Sequence, residues 1–238
     1  MSSTSEKGHA KNVANFEAEI SFCTAYGGAY KPSKESLSLD ALNDLLSKSK
    51  DTLKEVTNAK NLWDIAVNER QIAFAKLKPT ATRIVNALDV TDASDQTVAD
   101  AKSINKKIQG GRVSAKPDEG EDKKTISTSQ QSYDNLVENF SKLIDLVSSE
   151  PSYTPNETEL TVTSLHTYLS ELNDANTKVI NAYTVYSNAM ISRNEVFYAK
   201  ETGLVDTALE VKRYVKSVFG ATSPQFKQVS GLEFFRPN

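Results

Sequence analysis

The side chains able to ligate a metal or attack an electrophile are few. The 238-residue chain holds two histidines, His9 and His166, and one cysteine, Cys23. Di-metal helical bundles use a Glu-x-x-His spacing on facing helices. Glu6 and His9 have that spacing, but Thr163 stands three before His166, so there is no second copy and no metal or cofactor is expected. Cys23 with His166 would supply a nucleophile and its base. A small buried cysteine is the competing reading and the one adopted. Gly27-Gly28 and Gly110-Gly111 lack the Lys-Ser/Thr that completes a phosphate loop. Lys102, Lys106, Lys107, Arg112 and Lys116 form a basic run suited to phosphate. Asp118, Glu119, Glu121 and Asp122 follow at once, which makes it a mixed-charge solvated face.

Arg70 and Arg193 are the most informative charged pair. Both fall on inward positions of a heptad ladder, with Glu69 and Glu195 nearby. A charge in such a seam fixes register at a cost in stability; the alternative is that both side chains snorkel to water. In the same register, Trp63, Tyr183, Tyr186 and Phe197 read as core rather than as a ligand box. The stretch Ile20–Tyr30 carries no charge over eleven residues. It reads as a helix end and a Gly-Gly turn, with a membrane-active tongue as the alternative.

The elements that position these residues are legible because the chain repeats itself. Residues 30–46 (YKPSKESLSLDALNDLL) match 153–169 (YTPNETELTVTSLHTYL) at a constant offset of 123. Repeats of this kind fix architecture first. Ladders alternating four and three run from Leu42 to Leu77 and from Leu165 to Lys200, the signature of long helices packed along a seam. Upstream, Asn15, Phe16 and Ile20 match Asn139, Phe140 and Ile144 at offset 124. Ser38 and Thr161 are N-caps, each between a leucine before the cap and one at the fourth helical position. Long helices are expected over 39–88 and 162–219, about 75 and 85 Å at 1.5 Å per residue, each bent near Pro79 or its counterpart Thr202. Shorter helices are expected over 9–27, 95–109 and 129–149.

These patterns predict an all-α fold: an elongated antiparallel helical bundle with pseudo-two-fold internal duplication, two long helices and several shorter ones. Repeat 1 spans 9–109, a charged linker 110–127, and repeat 2 spans 128–238, all within one domain. The ending is apolar for a chain terminus. Phe226, Leu232, Phe234 and Phe235 are expected to be buried, or to dock on a neighbour.

The bulk numbers exclude function classes more than they choose one. The net charge of −3, from 28 basic and 31 acidic side chains, gives no field for nucleic acid. No run approaches the roughly 20 apolar residues of a membrane span, and residues 1–16 lack the apolar core of a secretory signal. Cytoplasmic localisation is the default expectation.

Tyr153-x-Pro155, the following ELTVTSL, and the segment TGLVDTALEVKRYVKSVFGATSPQFKQVSGLEF together resemble an uncharacterised family of bacterial all-helical proteins with the same two-copy layout. The resemblance covers nearly the whole chain. It implies the duplication and a bacterial origin, and supplies no catalytic or binding residue. The functional expectation is a non-enzymatic structural or protein-interaction scaffold that self-associates or holds a protein partner. A membrane-acting helical protein of pore-forming type and an enzyme with an unrecognised site are the alternatives.

Overall fold

The computed structural model describes residues 8–110 and 131–237. The linker expected over 110–127, with Arg112, Lys116 and the acids after them, lies outside the described residues apart from Gly110, as does Glu6. Among the described residues the fold is all-α, with no strand. Its helices are α1 (His9–Ala25), α2 (Leu39–Phe74), α3 (Leu77–Asp89), α4 (Asp95–Gln109), α5 (Tyr133–Ser148), α6 (Val162–Tyr198), α7 (Leu204–Phe219) and α8 (Pro224–Ser230).

Both long helices start where the caps predict. The Ala41 amide donates to Ser38 Oγ at 3.2 Å and the Ser164 amide to Thr161 Oγ1 at 3.4 Å. Leu37, Leu42, Leu160 and Leu165 around those caps are all buried. The helices are shorter than expected, because each ends before the predicted bend. α2 stops at Phe74, where the Ala75 amide is shared between the Gln71 and Ile72 carbonyls. A continuous helix would need an amide hydrogen on residue 79, which proline lacks. The chain breaks upstream instead, and Pro79 falls in the first turn of α3, where amides have no intrahelical acceptor anyway. α6 stops at Tyr198. The turn after it uses Glu201 at a φ of 68° and Gly203, where a Cβ would sit 2.7 Å from the Ala199 nitrogen. Glycine is required there by close approach.

The chain divides into two compact units, and the division does not follow the repeats. One unit is built from Met1–Leu62 and Tyr183–Asn238, the other from Trp63–Ala182. The first therefore takes α1 and the start of α2 from the front of the chain, and the end of α6, α7 and α8 from the back. Its core gathers Phe16, Ile20, Leu42, Phe197, Val211 and Val229. The second unit holds the end of α2, α3, α4, α5 and the start of α6, around Leu77, Ile84, Phe140, Leu143, Leu165 and Leu172. Each unit thus joins helices from the front half of the chain to helices from the back half. These units do not coincide with the spans 9–109 and 128–238 read as repeats. Heptad spacing shows which face of a helix is buried and is silent on which segment covers it.

Candidate functional site

Each unit carries a Tyr-x-Pro loop ahead of its capped helix, and both loops close in the same way. The Tyr30 hydroxyl donates to the Leu37 carbonyl at 2.8 Å and the Tyr153 hydroxyl to the Leu160 carbonyl at 3.0 Å. Both rings are buried, and burial is the leading cause that raises both phenols, Tyr153 to about 12.

What packs on the two loops differs. In the first unit Tyr214 of α7 meets the Tyr30 ring edge-on, with centroids 5.3 Å apart and planes at 90°. Its hydroxyl accepts from the Lys31 amide at 3.1 Å, and Lys34 pairs with Glu210 at 2.5 Å. Offset 123 puts Thr91 at the position of Tyr214 and Ala87 at that of Glu210. In the second unit α3 ends at Asp89, two turns short of α7 in that register, and Thr91 is already in the turn beyond it. No aromatic ring fills the space. A cavity of about 490 Å³ remains, lined by residues that include Ala87, Val90, Thr91, Tyr153, Thr154 and Pro155. Ser152 Oγ donates to Thr91 Oγ1 at 3.2 Å. Arg83, also on the lining, pairs with Glu159 at 2.9 Å.

The first unit holds a polar group in its core that the second lacks. Glu19 on α1 is fully buried, with neither carboxylate oxygen hydrogen-bonded. Burial pushes its carboxyl up to about 8, against the opposing pull of the Lys212 charge. Cys23, one turn on, is fully buried; burial first, then Glu19, pushes its thiol up to about 12, with the neighbouring Tyr30 hydroxyl acting in the other direction. Cys23 is the small buried cysteine expected. At offset 124 the second unit has Leu143 and Val147 in these places, both buried. Sequence reasoning missed Glu19. The available signal was one acid on the apolar stripe of Phe16, Ile20 and Cys23, opposite a leucine in the other copy.

The C-terminal tail is anchored on the first unit through its backbone. Asn12 bonds both the carbonyl and the amide of Phe235, Asn15 donates to the Glu233 carbonyl at 2.6 Å, and Lys212 donates to the Leu232 carbonyl. Arg236 pairs with Asp206 at 2.6 Å. Phe226 and Phe234 are half-buried against the core and Leu232 is half-buried, with Lys212 5.1 Å from the Phe234 ring centre. Burial within the chain or against a neighbour was expected for this segment; within the chain Phe235 is 39% exposed, because the anchor is its peptide group.

Two readings were open for Arg70 and Arg193: a buried charged pair near the seam, or side chains that snorkel to water. Each instead serves its own unit, with no acidic partner among the described residues. The Arg70 guanidinium lies 3.9 Å over the Tyr133 ring, and its Nε is buried without a hydrogen bond. Glu69 beside it is 3.6 Å from Lys178. Arg193 bonds Asn194 through Nε and Nη2 at 3.2 and 2.9 Å, half-buried rather than in the core. His9 meets Phe197 edge-on at 5.3 Å, as Tyr133 meets Phe74 at 4.7 Å. Burial, then the Arg193 charge, holds the His9 imidazole below its ordinary value, with a hydrogen bond to Asn194 in opposition. Cys23 and His166 fall in different units, and His166 is exposed.

Ile20, Cys23 and Tyr30 of the uncharged stretch are buried in the first unit's core. Among the described residues no group of three or more His, Cys, Asp or Glu side chains converges, and no helix is long and apolar enough to cross a membrane. Comparison with known families, with curated proteins and with solved structures finds no match for this chain.

Proposed function

We propose that this chain is a non-enzymatic interaction scaffold that self-associates through helix faces. The observation that carries the reading is on α2. Ile65 is 52% and Ile72 73% exposed, seven residues apart and therefore on one face two turns along the helix. Exposed apolar pairs on a regular helix suit a partner helix laid alongside. The full burial of Glu19 and Cys23 adds support, since both side chains are enclosed away from any solvent-borne substrate. The same reading takes the two halves as copies of one unit, supported by the matching Tyr30–Leu37 and Tyr153–Leu160 bonds.

Light scattering across a concentration series tests it. The expected result is a mass above that of one chain, falling toward it in the Ile65→Lys/Ile72→Lys variant with the melting temperature kept. A single-chain mass up to the solubility limit rejects self-association.

A further inference from the structure

We propose that the cavity between the end of α3 and the Tyr153-x-Pro155 loop is a binding site for a phenol ring. The first unit shows what such a site holds, because its own chain fills it. There the Tyr214 ring stands edge-on to Tyr30 and its hydroxyl oxygen takes the hydrogen of the Lys31 amide. The second unit keeps the receiving half of that arrangement. Tyr153 lies in its loop as Tyr30 does, with the same hydrogen bond to the carbonyl seven residues on. Thr154 follows it as Lys31 follows Tyr30, and the Thr154 amide has no acceptor among the described residues. Only the donated ring is missing, because α3 ends early and Thr91 replaces Tyr214.

The space fits that occupant. Its volume of about 490 Å³ is within the roughly 300–1,000 Å³ usual for ligand pockets. It exceeds one ring, which leaves room for the group bearing it. Ala87, Val90 and Pro155 supply apolar contact, and Tyr153 offers a ring for an edge-on pair. The Thr154 amide supplies a donor for a phenolic oxygen, while the Thr91 hydroxyl is taken by the Leu88 carbonyl, the Ala93 amide and Ser152. The ring comes either from a free phenol or from a tyrosine side chain of a partner protein. This site is independent of the self-association face on α2.

The test is an amide-resolved NMR titration of the full chain with p-cresol, toluene and N-acetyl-tyrosinamide. p-Cresol is expected to shift Thr154, Val90 and Ala87 saturably, with toluene at least fivefold weaker because it cannot accept the amide hydrogen. Tighter binding of N-acetyl-tyrosinamide than of p-cresol assigns the ring to a partner's tyrosine; the reverse order assigns it to a free phenol. Thr91→Tyr, which restores the first unit's own filling, should remove all response. Val90→Trp, at an 85% exposed position that tolerates bulk, should weaken p-cresol without touching the core. Absence of a saturable shift with any phenol, or equal response to p-cresol and toluene, overturns the proposal.

Discussion

Asn12 grips the peptide group of Phe235 from both sides: its Nδ2 donates to the Phe235 carbonyl at 2.7 Å, and its Oδ1 accepts from the Phe235 amide at 2.8 Å. The side chain stands in for the strand that an extended segment would otherwise pair with. The counterpart at offset 124 is Leu136, a core residue. α1 and α5 therefore differ in chemistry at their inner faces, and of these two helices α1 is the one that holds the backbone of the tail.

Asn12→Ala should release the end of the tail without unfolding the helices. Net hydrogen-bond contributions of about 1 kcal/mol each put the stability loss at roughly 1–3 kcal/mol. The specific readout is hydrogen exchange at the Phe235 amide, which should accelerate at least tenfold. Asn15, Lys212 and Asp206 still hold residues 232–236 by other contacts, so amides in α8 should change little. Unchanged exchange at Phe235 would show that the Asn12 grip does not hold the tail.

Glu19 makes stability depend on pH in a direction opposite to an ordinary paired carboxylate. Its folded value of about 8 lies above the roughly 4.3 of an unfolded glutamate. Between these values the unfolded state has released a proton that the folded state retains, so stability falls as pH rises. Glu19→Leu, which replaces it by the residue found at Leu143, should remove this slope, a pH-linked difference of roughly 4 kcal/mol by pH 7 at 1.36 kcal/mol per unit. His9 acts in the other direction near pH 6, because its value is lowered. The quantity to measure is therefore the difference between the two proteins from pH 4.5 to 8, in which His9 cancels. A difference that stays constant over that range would mean Glu19 ionises as if in water.

Much of the local structure is written in the residues. Ser38 and Thr161 announce their helices because capping is a four-residue matter. The break near Pro79 is legible, but its location at Ala75–Lys76 is not, since proline disrupts the turn before it rather than its own position. The makeup of the two units is hidden because a seam residue such as Leu42 or Leu165 is buried equally well by any apolar partner. The cavity beside Tyr153 is hidden for another reason. It exists because Thr91 is small and α3 is short, and an unfilled volume leaves no mark on a ladder of apolar positions.

Arg70 and Arg193 occupy equal places in the two ladders and should respond differently to removal. Arg70→Leu loses a cation–π contact with Tyr133, worth roughly 1 kcal/mol for a half-buried pair. No acid is unmasked, so that loss should not vary between pH 5 and 8. Arg193→Leu, whose guanidinium touches only Asn194, should change stability by less than about 0.5 kcal/mol. Its signature lies in His9. The Arg193 charge is the second cause, after burial, that lowers the imidazole. Without it the His9 midpoint should rise toward the ordinary value of about 6.5, as read by NMR titration of the ring protons. A base whose folded value is lowered weakens the fold as pH drops through the unfolded value, because the unfolded chain then takes up the proton first. Narrowing that gap should make Arg193→Leu lose less stability than the parent between pH 7 and 5. A loss of about 3–5 kcal/mol at neutral pH that shrinks on acidification, in either variant, would reveal a buried acid paired with the arginine and overturn this assignment.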